Sequence, residues 1–276
     1  MSSFKNMSNG KNILLIIDPQ VDFHPGGSLG INGANEDSQR ISDLIMKNIN
    51  ELDEIYVTLD SHHRNHIAHS IFWQNKAGEK PAEFSEITYD QIVNGEWFPR
   101  DSSLLDHCKF YAKALEDANR FKIRIWPEHC LIGTPGHAVV PSVNTALQEW
   151  AGARNKQVHY VLKGSNCLTE MYSAIAADVP LENDTSTQKN PVMMAEFTSA
   201  GKLIVCGEAK SHCVNFTLRD IMKDWQITGR SAEHVLLLLD GCTAVFGCDE
   251  LAEAFERDMR DMGVTCINST DVKLFK

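Results

Sequence analysis

The stretch that decides the fold runs from Lys202 to Asp220, KLIVCGEAKSHCVNFTLRD. Leu203 to Cys206 is an apolar run of strand length and Gly207 breaks it, while Val214, Phe216, Thr217 and Leu218 follow Cys213 at helical spacing. A buried strand therefore feeds a turn that delivers Cys213 to the start of a helix. A thiol placed there meets the positive end of the helix dipole and unpaired backbone N–H groups, which lower its pKa and can hold an oxyanion. The same pattern also suits a structural cysteine, since free Cys is among the most buried residue types. What the other strand ends carry decides between the two.

Upstream, Asn12 to Ile17 (NILLII) is a continuous apolar run ending at Asp18, as a parallel strand buried on both faces should be. Asp18 then sits at the carboxyl end of a central strand, where open α/β sheets place their sites. The following DPQVDFHPGGSLGINGA is glycine-rich but holds no GxGxxG, so it reads as a turn-rich loop rather than a dinucleotide loop. Asp37 to Asn50 carries Ile41, Leu44, Ile45 and Ile49 at helical intervals and should be the first crossover helix. Glu54 to Leu59 is the next strand, and it ends in TLDSHHRNHIAHS, where Asp60 is followed closely by His62, His63, His66 and His69. Carboxylate and imidazole clustered at a strand end suit zinc, manganese or iron; the plain alternative is a solvated histidine-rich loop.

Further along, Gln74 to Glu86 is polar and reads as loop, and Leu104, Tyr111, Leu115 and Ala118 suggest a helix. The residues from Lys122 to Ile125 form a short strand entering WPEHC at Trp126 to Cys130, and Val143 to Trp150 continues as a helix. Gln157 to Leu162 is a strand ending at Lys163 in VLKGSN, and Asn166 to Ala177 is expected as a helix packing Leu168, Tyr172 and Ile175. After a short helix at Pro191 to Ala200 and the Cys213 unit come a strand at His234 to Asp240, a helix at Glu250 to Met262 and a last strand at Val264 to Ile267. This alternation implies an α/β fold, a doubly wound, Rossmann-like parallel sheet of about six strands flanked by helices. One domain over 1–276, with an insertion at about 74–121, is the expected organisation.

A chain of 276 residues with 43% hydrophobic content can bury one substantial core. The net charge of -11 and the scattered basic residues exclude an electrostatic footprint for nucleic acid and argue against an acidic membrane surface. Met1 to Gly10 is polar without a signal-peptide core, and no run approaches the roughly 18 apolar residues of a membrane span, so a soluble, cytoplasmic protein is expected. The eight cysteines lack CxxC spacing, which favours reduced thiols over a disulfide framework or a structural zinc module.

Taken in order, Asp18, the DxH pair Asp60 and His62, WPEHC around His129, the KG pair at Lys163 and GEAKSHCV around Cys213 resemble the isochorismatase-like cysteine hydrolases, in their nicotinamidase branch. The resemblance spans nearly the whole chain outside the insertion. It implies a catalytic triad of Asp18, Lys163 and Cys213, an oxyanion hole from the N–H groups of Ala209 and Cys213, and a cis peptide between Glu208 and Ala209. It also implies one divalent metal on Asp60, His62 and His129, with zinc first and manganese or iron as alternatives. His66 and His69 are further candidate ligands, His66 ahead on spacing. Phe23 and Trp126 would wall the substrate pocket, and Glu208 would border it, a charged residue where a small or apolar one is expected. His212 is better suited to a structural role than to a pair with Cys213, because neighbouring helical side chains diverge by about 100°.

The implied reaction is hydrolysis of nicotinamide, or a similar heteroaromatic carboxamide, to the acid and ammonia through a Cys213 thioester. Alternatives are another amide or carbamoyl substrate, a noncatalytic binding member of the fold, and direct attack by a metal-bound water. The implied partner is a small carboxamide, and a homo-oligomer is the expectation by resemblance.

Overall fold

In the sequence NILLII every side chain after Asn12 is apolar, so a strand made of it needs cover on both faces. The computed structural model, which describes residues 10–118 and 120–274, buries all six residues of this strand, β1 (Asn12–Ile17). Ile13, Leu15 and Ile17 join one core, and Leu14 and Ile16 join another on the opposite face. Each fully buried Ile or Leu contributes about 1.5–3 kcal/mol. The reading of the polar chain start concerns residues 1–9, which lie outside the described residues.

From β1 the chain runs through α1 (Ala34–Lys47), β2 (Glu54–Asp60), β3 (Trp73–Gln74), β4 (Glu86–Ile87), α2 (Tyr89–Val93), β5 (Phe98–Pro99), α3 (Leu105–Asp117) and β6 (Ile123–Arg124). It continues with α4 (Pro141–Arg154), β7 (His159–Lys163), α5 (Pro191–Ser199), β8 (Lys202–Gly207), α6 (Cys213–Thr228), β9 (Val235–Leu238), α7 (Asp249–Asp261) and β10 (Thr265–Ile267). Among the described residues the main sheet has six strands in the order β10-β9-β8-β1-β2-β7, all parallel. The chain moves outward from β1 through β2 and β7, then resumes on its other side at β8. Asp18 and Cys213 therefore flank the place where the strand order reverses, the crevice in which such sheets bind ligands.

Helix α6 presents Val214, Leu218, Ile221, Met222 and Trp225 to one face of the sheet. Helices α1 and α4 cover the other with Ile41, Leu44 and Ile45 and with Val143, Leu147 and Trp150. The expected short strand after Lys122 forms as β6 but stays outside the main sheet, pairing antiparallel with β4. Trp73, Ile87, Ile92, Tyr111 and Leu115 build a third core in this region, with Trp97 packed against it.

One expected element is absent. Asn166 to Ala177 forms no helix, only turns and bends. Its side chains take up the backbone donors that a helix would use: Asn166 Oδ1 accepts from Leu168 N–H, Glu170 Oε1 from Met171 N–H and Ser173 Oγ from Ile175 N–H. The irregular path matters, because it turns Glu170 and the Met171 carbonyl toward the sheet edge.

Candidate active site

The ends of three neighbouring parallel strands supply the centre. Asp18 follows β1, and its backbone enters the left-handed region at φ 43, where Asp is among the few residues that fit. Thr58 Oγ1 accepts from Asp18 N–H at 3.0 Å and donates to Asp18 Oδ1 at 2.5 Å, fixing the carboxylate. Lys163 ends β7 with its ammonium buried, donating to Asp60 Oδ1 at 3.0 Å, to the Met171 carbonyl at 3.1 Å and to Cys213 Sγ at 3.5 Å. These use the three protons of the ammonium. Asp18 Oδ2 lies 2.9 Å from the same nitrogen as an off-axis charge contact.

Burial lifts Asp18 above the usual carboxylate range, and Lys163 counters only in part because Asp60 shares it. Burial also lifts the Cys213 thiol, against the pull of Lys163. Lys163 is held well above its ordinary value: burial opposes the charge, but Asp18 and Asp60 outweigh it. Burial thus makes Asp18 a stronger base and the Cys213 thiol a weaker acid beside the Lys163 cation. The turn before α6 contains a cis peptide between Glu208 and Ala209. Cys213 is the first residue of α6, so its N–H has no intrahelical acceptor.

The second half of the site is stitched to the first. Short parallel bridges join His62 to Leu131 and His69 to Trp126, laying WPEHC against the histidine-rich segment. Asp22 Oδ2 accepts from Cys130 N–H at 2.7 Å and pins that turn. The gathered imidazoles expose lone pairs. His129 Nδ1 must donate to the Pro127 carbonyl, 2.7 Å away, which turns Nε2 toward Asp60 Oδ2 at 3.2 Å. His69 Nδ1 likewise donates to the Arg64 carbonyl, leaving Nε2 buried without a hydrogen-bond partner among the described residues, and the ring nitrogens of His62 make no hydrogen bond there, lying 3.6 Å from Asp60 Oδ2 and Glu170 Oε1. Ligand atoms of His62, His69 and His129 lie within 4.8 Å of one another. Imidazoles that donate one N–H to a backbone carbonyl and present the other nitrogen bare are arranged as metal ligands are. Burial, then neighbouring His62 and His66, lowers His69 to about 3, which keeps it neutral.

Spacing puts His66 ahead of His69; in the structure His69 keeps a ring nitrogen without a hydrogen-bond partner among the described residues, and His66 groups with His62 and Glu170. Both nitrogens of His66 are taken, Nδ1 accepting from Ala68 N–H and Nε2 donating to the Thr169 carbonyl.

A narrow cavity joins the two halves, lined by Phe23, Trp126, Tyr172, Ala209, His212 and Cys213, with Asp60, His129 and Glu170 at its polar end. Phe23 meets the His129 ring edge-on at 5.5 Å, and Trp126 Nε1 donates to Tyr172 Oη at 2.9 Å. Glu208 is not in this lining, contrary to the reading from sequence. Its buried carboxyl points behind the turn, toward Asp37 and Thr243. Glu170 was missed because it fell in the segment read as a helix; it lies 3.6 Å from His62 Nε2, and contacts with His62 and His66 hold it at about 2 in spite of burial. His212 is an aromatic wall, its pKa lowered to about 4 by burial.

No family model matches the sequence. The chain is similar to a curated nicotinamidase from Acinetobacter baylyi, 23% identical over 263 residues that span 94% of this chain and 93% of that one. Among solved structures it resembles a nicotinamidase and pyrazinamidase from Acinetobacter baumannii (TM-score 0.63, 22% identity, 95% and 98% of the two chains). A yeast nicotinamidase bound to the inhibitor nicotinaldehyde gives the same TM-score of 0.63 at 20% identity, over 93% and 99% of the chains. The pyrazinamidase of Pyrococcus horikoshii in complex with zinc matches at TM-score 0.54 and 18% identity, over 94% and 99%.

Proposed function

We propose that this chain, which has the fold of the nicotinamidases, is a metal-containing cysteine amidohydrolase converting nicotinamide or a similar heteroaromatic carboxamide to the acid and ammonia. The observation that carries the reading is the contact set of one buried ammonium, since Lys163 reaches Asp18, Asp60 and Cys213 at the floor of an apolar-walled cavity.

In this reading Asp18 takes the Sγ proton as Cys213 bonds to the carbonyl carbon, and Lys163 stabilises the charges that result. The N–H groups of Ala209 and Cys213 hold the developing oxyanion. The C–N bond then breaks, and Asp18 returns its proton to the departing ammonia. A water next loses a proton to Asp18 and bonds to the thioester carbon. The C–S bond breaks and the proton goes back to the sulfur. Phe23 and Trp126 would clasp a flat ring between them.

The bare nitrogens of His62, His69 and His129 together with Asp60 Oδ2 fit a divalent ion, and zinc is the reading supported by the donor set and by the zinc complex of the Pyrococcus relative. When bound, such an ion would supply a Lewis-acid anchor for a ring nitrogen and ordered water.

Ammonia release from nicotinamide by the metal-loaded protein, with Cys213→Ala alongside, tests the proposal. Release by the parent and none by the variant is expected. A folded, metal-bound parent that releases no ammonia overturns the substrate, and an active variant overturns the nucleophile.

A further inference from the structure

Glu208 opens the turn that carries Ala209 to Cys213, yet it is 2% exposed and faces another buried carboxyl, Asp37 in the first turn of α1, itself 3% exposed. The two carboxyls meet at Thr243, each bonded to it, and no side-chain cation of the described residues lies between them. Two buried carboxyls brought together in this way can bond to each other only with a proton between them. Thr243 clips both, donating through Oγ1 to Asp37 Oδ2 at 2.5 Å and through its N–H to Glu208 Oε2 at 3.4 Å. No N–H or O–H of the described residues reaches Glu208 Oε1, so an ionised Glu208 would leave that oxygen buried and unsatisfied.

We propose that Glu208 is a positioning residue: as a neutral carboxylic acid it donates its proton to Asp37, tying the oxyanion turn to α1, and the tie fails when the pair loses that proton. The assignment of an oxyanion turn rests on the hydrolase reading above; the shared proton does not.

The surroundings offer little to hold a second negative charge. Arg40 Nη1 contacts Asp37 Oδ1 at 3.2 Å from the exposed rim. Lys210 is already committed to Glu256 at 2.8 Å and to the Leu239 carbonyl at 3.2 Å. From the sheet side come Cys206 and Cys242, buried thiols whose pKa burial raises. Burial, then the Asp37 charge and hydrogen bond, raises Glu208 well above the carboxylate range.

Glu208→Gln, Glu208→Ala and Asp37→Asn in the metal-loaded full chain test the proposal, by kcat and KM for ammonia release from nicotinamide and by thermal unfolding between about pH 6 and pH 9. Glu208→Ala should lower kcat about tenfold or more with KM little changed, as a displaced oxyanion donor would, and Glu208→Gln should restore it. A carboxyl whose folded pKa is raised loses stability as pH climbs through that value, and an amide does not. The Tm of Glu208→Gln, and of Asp37→Asn, should therefore gain on the parent as pH rises. A pH-independent Tm difference, or parental kcat in Glu208→Ala, overturns the proposal. Unfolding needs no substrate, so a parent that releases no ammonia defeats the hydrolase reading alone. If Glu208→Ala does not fold, the Gln and Asn variants decide.

Discussion

Replacing Gly207 by Ala isolates the joint on which the site depends. Gly207 pairs with Ile17 across β1 and β8 at φ +110, and an added Cβ would stand 2.0 Å from the Ile17 carbonyl oxygen and 2.6 Å from its nitrogen. Neither backbone atom can rotate away. The φ angle alone costs an L-residue about 1–2 kcal/mol, and forcing the strands apart adds about 1–3 kcal/mol. Moving the Ile17 carbonyl also weakens its 2.8 Å hydrogen bond from Glu208 N–H, worth about 1 kcal/mol. The expected destabilisation is about 3–6 kcal/mol. Gly229→Ala is the control, since Gly229 also has positive φ (+70) but nothing within 4 Å of the added Cβ, so only about 1–2 kcal/mol is expected. Urea unfolding of both variants measures the difference as a shift in midpoint at constant m-value. Ile17 precedes Asp18, so whatever Gly207→Ala protein folds should also turn over at least about tenfold more slowly. Equal losses for the two variants would refute the steric account of this turn.

Other substitutions separate the parts of the site. His69→Ala should weaken zinc binding at least about tenfold in a chelator competition, whereas His66→Ala should spare affinity and instead cost about 1–3 kcal/mol of stability through its two backbone hydrogen bonds. Asp18→Asn should fold and retain metal yet release no ammonia, and measurable turnover would remove Asp18 as the base. Burial, only partly offset by Arg120 at 3.4 Å, raises Asp178 to about 7. Its raised pKa means that the parent loses stability as pH rises from the unfolded value, near 4, to about 7. Asp178→Asn should therefore gain on the parent by about 1.4 kcal/mol per pH unit over that range and level off above it, as pH-dependent urea unfolding would record.

The central strands were legible in the sequence because a strand buried on both faces is a nearly unbroken apolar run, as ILLII after Asn12 and LIVC after Lys202 are. Helices α1 and α7 showed through one apolar stripe each. The Asn166 to Ala177 segment misled because Leu168, Tyr172 and Ile175 fall at near-helical spacing, while Asn166, Glu170 and Ser173 bond the local backbone. Spacing counts side chains and cannot count backbone donors. Spacing could not weigh His66 against His69 for a related reason: His66 Nε2 is engaged by the carbonyl of Thr169, 103 residues away in sequence. The outward turn of Glu208 depends on Asp37 and Thr243, two long-range partners of the same kind.

Asp60 shows most clearly what a linear motif leaves out. Its DxH spacing assigned it to the metal alone, but its two oxygens face different ways: Oδ1 accepts from Lys163 at 3.0 Å, and Oδ2 lies 3.2 Å from His129 Nε2 and 3.6 Å from His62 Nδ1. One buried carboxylate therefore belongs to both halves of the site. Burial opposes its charge, yet His62 and Lys163 keep it well below the usual carboxylate range, so it stays ionised between them. Gln20 fixes it from behind, accepting from Asp60 N–H at 2.7 Å and donating to its carbonyl at 2.8 Å. With the backbone clamped, neither oxygen can swing to favour one half without releasing the other. The distance between the candidate metal ligands and the thiol is thus set by one rigid residue at the end of β2. That rigidity follows from the parallel pairing of β2 with β1 and β7, which places Asp60 opposite Lys163 in register and one strand away from Asp18.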